Sequence, residues 1–320
     1  MLNAAVQPTS IKSIQAAPMS ALTMTPNSSF RLPADAPIGV FDSGVGGLSV
    51  LRHVRAQLPQ EQLIYFADTG FAPYGDKPEH VIVERSLAVA GFLLERGAKA
   101  LVVACNTATV AAIKALRARY PALPIVGVEP GLKPAAAASR SGKIGVLATD
   151  STLSGDKFLQ LRAQISRASG AEFLLQACVG LVDLIEQGQF DTPAVDAMLE
   201  RYVAPLIAQG ADTLVLGCTH YPFVRAAIAR AAARHATQAV TLIDTGDAVA
   251  RQLARLLDAG GLLRAAPDGP AASVGMSTQA DAGVDASALL LGYTTASATA
   301  LSAAFAGLLD LAPPVVAVQI

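Results

Sequence analysis

Two apolar runs, Leu101-Val102-Val103-Ala104-Cys105-Asn106-Thr107 and Leu214-Val215-Leu216-Gly217-Cys218-Thr219-His220, each break off at a cysteine followed by hydrogen-bonding residues. Runs of this kind are the pattern of strands buried on both faces of a parallel sheet, and in open α/β sheets ligands sit beyond the carboxyl ends of the strands. Both thiols are therefore expected at strand mouths. A longer echo points to a duplicated plan. Ile38-Gly39-Val40-Phe41-Asp42-Ser43 recurs as Ile144-Gly145-Val146-Leu147-Ala148-Thr149, 106 residues on, and the two cysteines lie 113 residues apart. Similar spacings at two separate strand-to-loop motifs predict two α/β halves of like topology, each supplying one thiol to a shared cleft. Two buried structural cysteines would be the simpler reading; their Asn-Thr and Thr-His neighbours argue against it.

Between these motifs the chain alternates strand and helix patterns. Strands are expected at 38–41, 63–67, 101–104 and 125–128, with helices at about 48–58, 78–96 and 109–120. The second half repeats the alternation, with strands near 144–148, 172–176 and 213–216, then Thr241-Leu242-Ile243-Asp244 and an apolar run at 288–293. The closing stretch 294–309 has a helical pattern. Such alternation predicts an α/β fold: two pseudo-symmetric, doubly wound domains with mainly parallel sheets facing across a central cleft. The first domain is expected to combine residues 37–131 with 241–320, and the second to span 132–240. Residues 1–36 read as a disordered extension, and 261–287, rich in Gly, Ala, Pro, Ser and Asp, as a mobile loop.

Composition narrows the partners. Twenty-four Lys+Arg against 25 Asp+Glu leave no basic footprint for nucleic acid. The extension lacks the basic start and apolar core of a signal peptide, and no apolar run of about 18 residues predicts a membrane span. Three cysteines without CxxC spacing and four histidines argue against a disulfide framework or a zinc site. A cytoplasmic protein acting on a small molecule, without a metal, is expected.

One cysteine beside a histidine would suggest thiolate attack on a carbonyl. A second, mirror-placed thiol is better explained by proton transfer at a carbon approached from both faces, one group removing the proton and the other delivering it. A free thiol has a pKa of about 8.5, so each cysteine needs neighbours that manage its proton. Asp42, at the end of the first strand, and His220, two residues past Cys218, are candidates. Asn106, Thr107, Thr219 and backbone N–H groups at helix starts can hold the carboxylate or ammonium of an amino acid. No pyridoxal lysine motif is evident, which leaves a cofactor-free route.

The strings Gly39-Val40-Phe41-Asp42-Ser43-Gly44-Val45-Gly46-Gly47, Pro73-Tyr74-Gly75, Ala104-Cys105-Asn106-Thr107-Ala108, Gly127-Val128-Glu129-Pro130-Gly131 and Gly217-Cys218-Thr219-His220-Tyr221-Pro222 together resemble the glutamate racemases, over about residues 37–250. That resemblance implies an isomerase that supplies D-glutamate for peptidoglycan. It implies Cys105 as the group handling the proton of D-glutamate and Cys218 that of L-glutamate. It also implies catalytic assistance from Asp42, His220 and Glu186, and substrate contacts at Asp42, Ser43, Tyr74, Gly75, Asn106, Thr107, Thr219 and His220. Glu186 aligns loosely, because Cys178-Val179-Gly180 stands where the family has Cys-Pro. A further departure is Thr294-Thr295-Ala296-Ser297-Ala298, where the family has Thr-Ser/Thr-Gly-Asp-Pro. Cys178, without a polar motif around it, reads as core. Racemisation of aspartate or another amino acid on the same scaffold, and a non-catalytic amino-acid-binding protein, remain as alternatives. A homodimer is the default assembly.

Overall fold

A computed structural model describes residues 33–265 and 289–320. The expected extension at 1–36 and loop at 261–287 lie outside the described residues, apart from 33–36 and 261–265. The first half runs β1 (Ile38–Asp42), α1 (Leu48–Gln57), β2 (Leu63–Ala67), α2 (Glu79–Glu95), β3 (Ala100–Val103), α3 (Asn106–Arg119) and β4 (Ile125–Gly127). The second runs α4 (Leu132–Ala138), β5 (Lys143–Ala148), α5 (Asp150–Ser154), α6 (Asp156–Ser169), β6 (Glu172–Ala177), α7 (Leu181–Glu186), α8 (Pro193–Ala208), β7 (Thr213–Leu216), α9 (Arg225–His235) and β8 (Thr241–Ile243). The chain then returns through α10 (Gly246–Ala259), β9 (Leu290–Thr294), α11 (Ala298–Leu309) and β10 (Val315–Ala317).

Among the described residues the strands form two sheets, ordered β10-β9-β2-β1-β3-β4 and β6-β5-β7-β8. Every pairing is parallel. The order β2-β1-β3-β4 of the first sheet is the order β6-β5-β7-β8 of the second, so the echo at 106 residues is an echo of topology. Registers agree as well. Ala100 pairs with Ile38 and Thr213 with Ile144, and each cysteine lies five residues further along its own chain segment. Each central strand carries a glycine just after its Ile38 or Ile144, for one reason. A Cβ at Gly39 would meet Leu101 and Leu93 at 3.0 Å, and one at Gly145 would meet Leu214 at 2.5 Å and Leu206 at 2.8 Å.

Apolar runs are continuous because helices cover both faces. Along β3, Ala100 and Val102 join a core with Leu51, Leu253 and Phe305 from α1, α10 and α11, while Leu101 and Val103 join one with Leu93 and Ile113 from α2 and α3. The second sheet is flanked alike, by α7, α8 and α9 on one side and by α4 and α6 on the other. Each large aliphatic side chain so buried contributes about 1.5–3 kcal/mol.

Three boundaries differ from the expectation, the first being the closing helix, which begins at Ala298 rather than 294 because Thr294 ends β9 and the Ser297 side chain caps the helix by accepting the Ala300 N–H. β8 at Thr241–Ile243 pairs with β7, so these residues belong to the second sheet rather than the first. Helix α3 begins at Asn106, three residues before the expected start, because the Cys105 Sγ accepts the Ala108 N–H at 3.4 Å and caps it. Cysteine is not among the usual caps, which is why periodicity alone placed the start later. Among the described residues no helix is long and apolar enough to cross a membrane.

Candidate active site

Both cysteines stand just past the third strand of their sheet and both are nearly enclosed, Cys105 5 % and Cys218 7 % exposed. Around Cys105 the first half supplies Asp42 and Ser43. The Ser43 Oγ lies 3.7 Å from the Cys105 Sγ. Asp42 is fully buried at the end of β1. Its Oδ1 accepts the Gly44 N–H at 2.7 Å, and its Oδ2 accepts the Thr219 hydroxyl of the other half at 3.1 Å. Burial raises the Asp42 carboxyl to about 6, against the opposing pull of His220, Gly44 and Thr219. Burial likewise pushes the Cys105 thiol up to about 12, and the charges of Asp42 and Cys218 push the same way. The two thiols are thus within electrostatic reach of each other.

Cys218 has a different retinue. Its Sγ is 3.5 Å from the His220 Nδ1, and the His220 Nε2 is 2.6 Å from the Glu186 Oε1. Burial disfavours a charged imidazole, yet hydrogen bonds to Cys218 and Glu186 and their charges outweigh it and hold His220 well above the ordinary histidine value. Burial alone would raise Glu186, but the bond and charge of His220 and the Val45 N–H bring it below the usual carboxylate range. The Glu186 Oε1 accepts that Val45 N–H at 2.8 Å. A carboxylate of the second half therefore reaches the glycine-rich loop after β1. That loop must be bare to admit it: a Cβ at Gly44 would fall 2.0 Å from the Glu186 Oε1, and one at Gly46 2.4 Å from the His220 Nδ1.

Asn106 and Thr107 open α3 and are both buried. The Asn106 Nδ2 is enclosed and has no hydrogen-bond partner among the described residues. The Thr107 Oγ1 lies 3.0 Å from that of Thr149 and 3.3 Å from that of Thr152, across the boundary between the halves. Gly75 touches the second half too, its carbonyl accepting the Ser151 hydroxyl. The Tyr74 hydroxyl, by contrast, donates to the Asp68 Oδ2 at 2.5 Å. Its proton is thereby committed to Asp68, and toward a ligand the hydroxyl is left as an acceptor. Cys178 is buried in the core of the second half together with Leu181, Leu216 and Tyr221.

Sequence reasoning assigned no role to Thr149 or Thr152. Thr149 was legible, since it occupies in the second copy of the repeat the place of Ser43 in the first. A cavity of about 880 Å³ lies between α4, α6, α10 and the end of β4, lined by Arg117, Glu129, Lys133, Gln164 and Thr245 among others, and contains neither cysteine. Titratable groups converge at the thiols rather than in this cavity.

Residues 38–253 match the family described as Asp/Glu/Hydantoin racemase. The chain belongs to this family. Within it, the chain is 54 % identical over 233 residues to the glutamate racemase of Pseudomonas syringae pv. tomato, spanning 73 % of this chain and 82 % of that relative. Glutamate racemase from Francisella tularensis, solved in complex with D-glutamate, superposes with a TM-score of 0.72 at 25 % identity, covering 89 % of this chain and 98 % of that one. The Escherichia coli glutamate racemase in complex with L-glutamate and the activator UDP-MurNAc-ala gives 0.69 at 30 % identity, covering 89 % and 100 %. The doubly wound two-sheet architecture is thus the family's own.

Proposed function

We propose that this chain interconverts L- and D-glutamate by two one-proton transfers at Cα, without a cofactor, with Cys105 and Cys218 as the two acid–base groups. The observation that carries the reading is the equivalent placement of the thiols, each five residues past the same register position in two sheets of one topology. Glutamate racemases among the relatives fix the choice of substrate. Cys105, with Asp42 and Ser43, serves one face of the carbon, taking the proton of D-glutamate; Cys218, with His220 and Glu186, serves the other. Asp42, raised to about 6, titrates close to working pH, where a relay group is most effective. The arriving α-ammonium adds positive charge beside a thiol that burial holds protonated, and so favours its thiolate.

Asn106, with its unpartnered amide, and the hydroxyls of Thr107, Thr149 and Thr152 are placed to bind carboxylates, with Ser43, Gly75 and Thr219 completing the wall. Both thiols are nearly enclosed, so substrate enters as the halves part and break contacts such as Asp42–Thr219 and Val45–Glu186. The product serves peptidoglycan synthesis from the cytoplasm, and a homodimer is the default assembly.

Incubation with L-glutamate in D2O tests the reading. D-glutamate carrying deuterium at Cα is the expected product. Activity on aspartate alone would establish the alternative substrate, and binding without exchange would establish a non-catalytic protein. Cys105→Ala and Cys218→Ala should each abolish racemisation, and Cys178→Ala should retain most of it.

A further inference from the structure

Asp68, at the end of β2, is fully buried outside the thiol site and saturated with donors. Its Oδ2 accepts from the Tyr74 hydroxyl at 2.5 Å and the Arg85 Nε at 3.0 Å; its Oδ1 accepts from the Arg85 Nη2 at 2.8 Å and the Thr295 hydroxyl at 2.9 Å. Arg85 reaches it from α2 as a two-pronged fork, the geometry in which a guanidinium holds a carboxylate most firmly. The same guanidinium donates to the Ile320 carbonyl at 2.9 Å and lies 3.6 Å over the Phe71 ring. Thr295 in turn accepts the Gly70 N–H at 2.9 Å. Segment 68–74 is thereby fastened at Asp68, Gly70 and Phe71 by Arg85 of α2 and by Thr295 just past β9, and Tyr74 is tied to it through Asp68.

What the segment carries is the wall of the site. Tyr74 shares a buried cluster with Cys105, whose charge bears on its phenol. Gly75, next in the chain, gives its carbonyl to Ser151 of the second half, and a Cβ there would come within 3.3 Å of Thr149. We propose that the Arg85–Asp68 pair is a positioning clamp that sets Tyr74 and Gly75 against bound substrate, so that Arg85, which touches no reacting atom, governs substrate affinity. The proposal rests on the glutamate-racemising reading of the site.

A clamp of this kind separates KM from kcat, because the proton-transfer groups stay in place while the binding wall loosens. Arg85→Lys keeps the charge but loses the fork, and Tyr74→Phe keeps the ion pair but cuts its link to the wall. Each is expected to raise KM for both enantiomers about tenfold, with kcat within about threefold and cooperative melting preserved. Arg85→Ala should raise KM further; the two milder variants carry the test if it does not fold. An unchanged KM in either variant, or a fall confined to kcat or to the melting temperature, would overturn the clamp. Wild-type turnover in the same assay distinguishes that result from a failure of the glutamate reading.

Discussion

Glu186 Oε1 stands 2.6 Å from His220 Nε2 while also accepting the Val45 N–H, so one carboxylate ties the imidazole beside Cys218 to the loop after β1. Removing its charge removes one of the causes that hold His220 high and weakens the hydrogen bond that is another. Glu186→Gln should therefore lower kcat/KM on the order of tenfold and move the basic limb of its pH profile to lower pH, since the imidazolium is lost sooner as pH rises. Steady-state rates between pH 6 and 10 check this; an unmoved limb would remove Glu186 from the relay.

Asp42 gives a prediction of opposite flavour. Its carboxyl is raised from 3.8 to about 6 by burial. A raised acid keeps its full contribution below the unfolded value and loses it as pH rises through the folded one, so ionised Asp42 weighs against folding above about pH 6. The cost is about 3 kcal/mol. Asp42→Asn should melt higher than wild type at pH 8, converge with it near pH 4, and lose most activity. Thermal melts across that range decide it.

How much of this was legible depended on burial and period. The central strands announced themselves because helices cover both faces, and the thiols because each apolar run stops at one. The three-residue strands were uneven, β4 and β8 falling inside runs read as strands and β10 not. β10 follows Pro313-Pro314 and offers no alternation long enough to recognise, and β8 gave no sign of which sheet it joins. Within the site, the contact of His220 with Cys218 followed from their closeness in the chain, whereas Asp68, which fastens Tyr74, is remote in sequence from the Arg85 that completes it. The loose alignment at Glu186 gave no sign that its carboxylate meets His220.

The glycine-rich loop predicts its own intolerance. A Cβ at Gly46 would lie 2.4 Å from the His220 Nδ1 and 2.8 Å from the Thr219 Oγ1. Gly46→Ala should displace His220 from Cys218 and lower kcat/KM about a hundredfold. Gly97→Ala serves as a comparison for glycine loss in general: it has open space for a Cβ but a φ of +83°, so it should cost stability and spare turnover. Equal turnover in the two variants would refute the steric account.

Far from the thiols, Lys99 and Glu61 form an ion pair of 2.5 Å with side chains 0 % and 2 % exposed. Lys99→Met leaves a buried carboxylate unpaired and should cost about 3–5 kcal/mol by urea unfolding. Adding Glu61→Leu should recover much of it, with kcat unchanged in both variants. A single substitution as stable as wild type would show that water reaches the pair.

Four strands of each sheet share one order, and past the same strand of each stands one of the two paired sulfurs, Cys105 and Cys218. A half-chain would be a one-handed reagent, able at most to swap a hydrogen for its isotope and hand back the same enantiomer. On the proposed reading inversion belongs to the pair, and is lost whenever the copies drift out of step.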